Sequence, residues 1–185
     1  MTQPLSNPLQ DASSEDLLAE IEHRYLPNDQ KPFPVEMFTF LNKFRPAMTV
    51  EIVVFRRTAG KSEVLILQRD PSEIGYAGKS HLPGGYLFFK ETVHACLNRI
   101  AQRELGAAPA KLSYAGALFD RYEVRGHHIH HTFVAELDGE PAKGEWVSPE
   151  NLPINFVPHH VPVVKMAAAV SEGTMPPGQF VEYEP

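Results

Sequence analysis

Between Gly85 and Gly106 the chain sets a glycine, five residues, Glu91, seven residues, Arg99, and then Glu104-Leu105-Gly106. No other stretch restricts the fold as tightly. Leu82-Pro83-Gly84-Gly85-Tyr86 leads into it, and paired glycines let backbone approach a ligand closely and adopt conformations closed to other residues. Residues 90–105 read as a helix in which Val93, Leu97 and Ile100 form one apolar stripe, with Glu104 on that same stripe. A carboxylate there is costly unless it is paired, exposed at the rim or bound to a metal. Hard Mg²⁺ or Mn²⁺, which takes oxygen ligands, is the natural partner beside a polyphosphate. The plain alternative is that Glu104 reaches solvent from the last turn. Glu91 and Arg99 lie about two helical turns apart and are expected to fix the loop. Cys96 reads as a small buried packing residue.

The flanking pattern alternates strands and helices. Val50 to Phe55 and Glu63 to Leu67 are strand candidates, with Arg56 to Ser62 as the turn between them. Residues 70–84 read as loop, two or three strands are expected near 111–119, 121–125 and 128–137, and Trp146-Val147 as a short strand. A last helix is expected over about 159–172, and an irregular tail from Gly173. Upstream, Ser13 and Asp16 form a capping-box-like start to a helix over 14–25. Residues 1–12 read as frayed, and Pro27, Pro32 and Pro34 break the chain before a second short helix around Met37 to Phe44. These elements predict an α/β (α+β) sandwich. The organisation is an N-terminal extension (1–34), one domain (35–172) and an irregular C-terminal tail (173–185). The extension reads as a cap, a homodimerisation arm or edge packing, three uses the sequence leaves open.

Composition narrows the partners. A net charge of −6 among 185 residues argues against a general nucleic-acid binder, which wants a basic surface. It leaves room for an anionic small molecule, since a metal ion and a few arginines supply local positive charge. One cysteine forbids an intrachain disulfide and fits a reducing compartment. With no signal-like start and no apolar run near the ~20 residues that span a bilayer, a cytoplasmic protein without a membrane partner is expected.

The Gly85–Gly106 spacing resembles the Nudix box, the signature of the Nudix hydrolase superfamily. That pattern also places glutamates at 100 and 103, where this chain has Ile100 and Arg103. The departures look like the GDP-mannose mannosyl hydrolase branch, whose box lacks both glutamates and keeps the last. Pro46, four residues and then Glu51, Gln68-Arg69, Gly75-Tyr76 and the late Trp146-Val147-Ser148-Pro149 turn resemble it too. The similarity covers about 35–172. It implies a Nudix-type α/β/α sandwich with a mixed central sheet.

The resemblance implies a Mg²⁺- or Mn²⁺-dependent hydrolase of a nucleoside-diphosphate-linked small molecule, held at the Gly85 carbonyl, Glu104 and Glu140. With two carboxylates missing and Arg103 added, one metal is the better fit, and a nucleotide sugar attacked by water at C1 is the first choice. Cleavage at phosphorus and a non-catalytic nucleotide-sensing domain are the alternatives. The branch's catalytic histidine falls near Pro141 and is absent. Glu145 and the cluster His127, His128, His130 and His131, His128 first among them, are therefore the candidates for the base, with a zinc site and a plain solvated or partly buried strand as the cluster's other readings. His128 and His130 share one face of a strand, His127 and His131 the other. Arg69 sits where the branch has a phosphate-contacting arginine. Tyr86 and Arg121 complete the expected substrate contacts.

Overall fold

The computed structural model describes residues 13–25, 34–73 and 75–185. The chain divides into two compact units, residues 1–38 and 39–185. The expectations for residues 1–12 and for the break at Pro27 and Pro32 lie outside the described residues. In the first unit, α1 (Ser14–Tyr25) starts on the expected capping box: the Asp16 N–H donates to Ser13 Oγ at 3.1 Å and the Ser13 N–H donates to Asp16 Oδ2 at 3.1 Å. The first-turn N–H groups of a helix have no partner within it, which is what this exchange supplies. A second helix, α2 (Val35–Leu41), follows Pro34.

The second unit is a mixed sheet between two helices. In chain order its elements are β1 (Ala47–Thr58), β2 (Lys61–Gln68), β3 (Ser80–His81), β4 (Gly84–Tyr86), α3 (Val93–Leu105), β5 (Pro109–Asp120), β6 (His128–Leu137), β7 (Glu145–Val147), α4 (His160–Ser171) and β8 (Gln179–Glu182). The strands run β3-β2-β1-β6-β5-β8, with β4 also on β1 and β7 on β2. β1–β6 and β5–β8 are parallel; the other pairings are antiparallel.

Strand alternation sends successive side chains of β1 to opposite faces. Val50, Ile52 and Val54 pack with Leu97, Ile100 and Leu105 of α3. Val53 packs with Val64, Leu118, and Val163, Val164 and Ala167 of α4. Each such fully buried aliphatic side chain contributes about 1.5–3 kcal/mol relative to exposure. The expected α/β/α sandwich is the observed one. Thr49 and Glu51 share the parity of Val53, so two polar side chains enter the α4 face.

One side of β1 is divided between two partners. Thr49 to Glu51 pair with β4, while Phe55 to Thr58 pair with β2. Between these, Leu82-Pro83 leaves β3 and brings Gly84 opposite Glu51 and Gly85 opposite Val50. The glycine pair is thus a strand beside β1 and opens the loop into α3.

The stretch expected as loop over 70–84 holds β3 and the first residue of β4, because Ser80 and His81 pair with the end of β2. Three further local expectations differ from the structure. The turn expected over Arg56 to Ser62 is only Ala59-Gly60, both at positive φ (50° and 80°), the two-residue hairpin turn that matches strand twist. Residues 121–125 are a connection, where Asp120 Oδ1 accepts from the Tyr122 N–H at 2.8 Å and Glu123 Oε2 from the Arg125 N–H at 2.7 Å. These side chains take the place of ladder partners. The tail expected to be irregular contains β8, whose Gln179 backbone closes on Gly116 of β5, where a β-carbon would clash.

Candidate functional site

The site begins with the turn after β4. Lys90 at φ 60° redirects the chain, the Thr92 hydroxyl accepts from the Ala95 N–H at 3.1 Å to cap α3, and left-handed Gly106 ends it. Glu91 and Arg99 lock the loop to the helix. Arg99 donates from Nε to Glu91 Oε1 and from Nη2 to Glu91 Oε2, both at 2.7 Å, and from Nη2 to the Tyr86 carbonyl at 2.9 Å. Glu91 also accepts from the Phe88 N–H at 3.0 Å. Such bidentate pairing adds orientation to strength. The Arg99 guanidinium holds the Glu91 carboxyl below the usual range. Cys96 is fully buried beside it, with its thiol pushed up to about 12 by burial.

Two carboxylates meet at Gly84 from opposite faces of the sheet. Glu104, on α3, accepts from the Gly84 N–H at 3.1 Å through Oε2, and Arg103 closes on its Oε1. Its side chain is 13% exposed, so Glu104 does not simply reach solvent. Burial pushes its carboxyl up, against the pull of Arg103. Glu51 comes from the α4 face and is buried; burial pushes it up to about 8. A β-carbon on Gly84 would collide with Glu51 Oε2, whereas one on Gly85 would make ordinary contacts with Arg103 and Ile100 at 3.5–3.6 Å.

Behind Glu51 the α4 face holds a buried polar cluster. His128, Asp120, His130 and His159 are each no more than 1% exposed, and Glu123 and His160 are buried with them. His128 has both ring nitrogens engaged: Nδ1 at 2.6 Å from the Gly126 carbonyl and Nε2 at 2.8 Å from the Tyr86 hydroxyl. The carbonyl requires a proton on Nδ1, so Nε2 accepts from the tyrosine. His130 Nδ1 contacts Thr49 Oγ1 at 2.8 Å and Glu51 Oε1 at 3.2 Å. His160 Nδ1 accepts from the Leu82 N–H at 3.0 Å, which turns its Nε2 toward Glu51 Oε2 at 3.7 Å. Burial drives these imidazoles neutral, to about 4 for His128 and His130 and about 2 for His159.

The expected residues are not all brought together. Glu104 meets the glycine pair from the α3 face, while Tyr86, one residue on, bonds His128 on the α4 face. Arg69 adjoins them: its side chain is 16% exposed, 3.4 Å from Glu73, and its charge reaches Glu51 and His160. Arg121 turns away to Glu182 of β8 at 3.7 Å, with its side chain 59% exposed. Glu140, in the β6–β7 connection, and Glu145, on β7, are exposed, and among the described residues neither bonds to Glu104 or Gly85.

The sequence reading missed Asp120, Glu123, His159 and His160 as members of the site. The available signal was His159-His160 at the head of an apolar helix, with His128 and His130 on one strand face. Asp120, His130 and His159 form a candidate metal-binding group, their ligand atoms all within 4.8 Å of one another. The oxygens at Glu104 and Gly85 suit a hard cation of the Mg²⁺ kind. The burial that raises the Glu104 carboxyl is a cost that such a cation relieves. Arg103, with a side chain 55% exposed, closes on that carboxylate and also donates to the Gly84 carbonyl at 3.4 Å.

The NUDIX domain family model matches residues 45–167. No curated protein matches the sequence. Among solved structures, the MutT NUDIX hydrolase from Burkholderia pseudomallei is 19% identical, with a TM-score of 0.57, covering 66% of this chain and 98% of that one. The NUDIX domain of Shewanella oneidensis NrtR, solved with ADP ribose, is 19% identical with a TM-score of 0.55, covering 83% and 99%. NrtR complexed with a 27mer DNA is 17% identical with a TM-score of 0.56, covering 69% of this chain and 63% of that one. This last structure corrects the expectation of no nucleic-acid partner. A protein that contains this fold binds DNA, so net charge and fold together do not exclude it. No helix among the described residues is long and apolar enough to cross a membrane.

Proposed function

The chain belongs to the NUDIX domain family, and from that premise we infer a metal-dependent hydrolase of nucleoside-diphosphate-linked compounds, with nucleotide sugars as its substrate class and C1 of the sugar as the atom attacked by water. One observation carries the reading. At the box positions, Glu104 is the carboxylate that reaches the glycine pair, and Arg103 lies against it where a second carboxylate would help gather further cations. One cation is then held, with Glu104 and the Gly85 carbonyl as its protein oxygens. Bound there, Mg²⁺ or Mn²⁺ supplies positive charge to the departing diphosphate. The finer likeness to the GDP-mannose mannosyl hydrolase branch supports the same choice.

The chain's own residues do the rest. Arg69 binds phosphate with a planar fork of donors. Arg103 swings off Glu104 as the diphosphate arrives and pairs with its charge. Tyr86, next to Gly85, presents its hydroxyl to the substrate on one side and donates to His128 on the other. A proton leaving the attacking water passes through that hydroxyl to the Nε2 lone pair of His128, with the Glu123 carboxylate 3.3 Å from Nδ1 to offset the positive charge that burial disfavours. Glu145, exposed on β7, is the other base, and His128→Gln beside Glu145→Gln decides between them.

The test is turnover of a nucleotide-sugar panel with Mg²⁺ and Mn²⁺, wild type beside Glu104→Gln. Removing the ligand forfeits several kcal/mol of charge stabilisation, so kcat falls by roughly 100-fold or more. Equal activity of the two proteins overturns the metal assignment, and no turnover across the panel overturns the substrate class.

A further inference from the structure

We propose that Asp120 Oδ2, His130 Nε2 and His159 Nδ1 form a second metal site, one that takes a borderline divalent ion such as Zn²⁺ and is distinct from the oxygen site at Glu104 and Gly85. The three atoms come from the end of β5, the start of β6 and the residue before α4. They lie within 4.8 Å of one another, on residues that are at least 99% buried. Each of the three lacks a hydrogen-bond partner. Orphaned polar atoms in a protein interior are few and costly. That three converge on one point is the observation a ligand would explain.

The surroundings orient these atoms. Asp120 Oδ1 is used by the Tyr122 N–H, which leaves Oδ2. His130 Nδ1 faces Thr49 Oγ1 and Glu51 Oε1. A proton on Nδ1, held by the glutamate, leaves the Nε2 lone pair aimed at Asp120 Oδ2, 4.0 Å away. A carboxylate behind a ligating histidine is the usual means of fixing its tautomer and ring. His159 Nδ1 lies 3.3 Å from the same Oδ2, and its ring stacks on His130 with centroids 4.6 Å apart.

The donor set chooses the ion. Two neutral imidazoles and one carboxylate suit zinc and its neighbours, whereas Mg²⁺ prefers oxygen alone. With bonds of about 2.0–2.2 Å, ligands around a tetrahedral zinc stand roughly 3.3 Å apart. Asp120 and His159 already have that spacing, while His130 Nε2, 4.0 Å from Asp120 Oδ2, has to close by about 0.7 Å on that oxygen. A proton shared between Asp120 and His159 would satisfy two of the three atoms and leave His130 Nε2 orphaned. The ion satisfies all of them and ties the head of α4 to β5 and β6.

The experiment uses the full chain, stripped with chelator and titrated with Zn²⁺ and, for its visible absorption, Co²⁺. Metal content and competition against a chromophoric chelator give stoichiometry and affinity, and imidazole ¹⁵N signals report which rings respond. One Zn²⁺ per chain is expected, with the His130 and His159 signals moving on addition. Asp120→Asn and His159→Gln weaken binding by at least about 100-fold, more than the 10- to 100-fold typical of an outer partner and expected for Glu51→Gln. His131→Gln, on the other strand face, and Glu104→Gln leave it unchanged. The last of these separates the proposal from the hydrolytic reading, because Glu104→Gln removes turnover alone. The proposal is overturned if folded wild type takes up no Zn²⁺ or Co²⁺. It is equally overturned if the exposed His23 and His94 respond instead of His130 and His159, a readout that needs no variant to fold.

Discussion

The Glu51 carboxylate occupies the space that a side chain on Gly84 would fill, so the residue immediately before the Nudix box is glycine because of a residue 33 positions upstream. The two are opposite each other in the β1–β4 ladder, which fixes the contact by register. The glycine pair is therefore not one device but two: Gly84 makes room for Glu51, while Gly85 faces α3.

Gly84→Ala is expected to destabilise the fold by about 1–3 kcal/mol, the range for forcing atoms into a packed site. Gly85→Ala should cost less, since its β-carbon meets only ordinary contacts. Chemical denaturation of both variants checks the difference. Glu51→Ala in the Gly84→Ala background should recover part of the loss, a coupling that a double-mutant cycle reads directly.

Glu91→Gln is expected to cost about 1.5–3 kcal/mol, the scale of a hydrogen bond to a charged group, because it breaks the bidentate pair with Arg99. The pH dependence follows from the direction of the shift. The folded carboxyl titrates below its ordinary 4.5, so its stabilisation is fully present above that value. It is lost as pH falls through the folded pKa. Wild type and variant should converge in melting temperature under acid, and a gap that widened below pH 4.5 would contradict the ion pair's role.

Much of this was legible in the sequence. The capping box at Ser13–Asp16, the Glu91–Arg99 clamp and the paired face of His128 and His130 follow from spacing along one element, and the structure has them. What sequence did not show depends on tertiary register. Asp120 meets His159 only because β5, β6 and the head of α4 converge, and β8 exists only because Gly116 admits the Gln179 backbone. Glu104 illustrates both sides. Its stripe position announced a carboxylate in need of a partner, but not that the Gly84 N–H and Arg103 would be the partners.

Arg103→Ala should strengthen Mn²⁺ or Mg²⁺ binding by several-fold, because it removes the cation that competes for Glu104 Oε1. The same change raises KM for the diphosphate substrate if Arg103 pairs with it after swinging out. Calorimetric titration of Mn²⁺ checks the first effect and steady-state kinetics the second. Unchanged metal affinity would mean that the Arg103 contact does not oppose the ion.

Arg69→Ala should raise KM by roughly tenfold, equivalent to about 1.4 kcal/mol of binding, because Arg69 lies against the site from a largely buried position. Arg121→Ala should change KM less than twofold. Its exposed pair with Glu182 predicts a stability change within about 0.5 kcal/mol. A reversed order of the two KM effects would place the substrate on the β8 side of the sheet.

Water attacking C1 and water attacking phosphorus make different bonds. Hydrolysis of a nucleotide sugar in ¹⁸O-enriched water with Mg²⁺, followed by mass spectrometry of both products, tells the two apart directly. The account predicts the label in the free sugar and none in the nucleoside diphosphate. Label in a phosphate group would contradict it and move the attack to phosphorus.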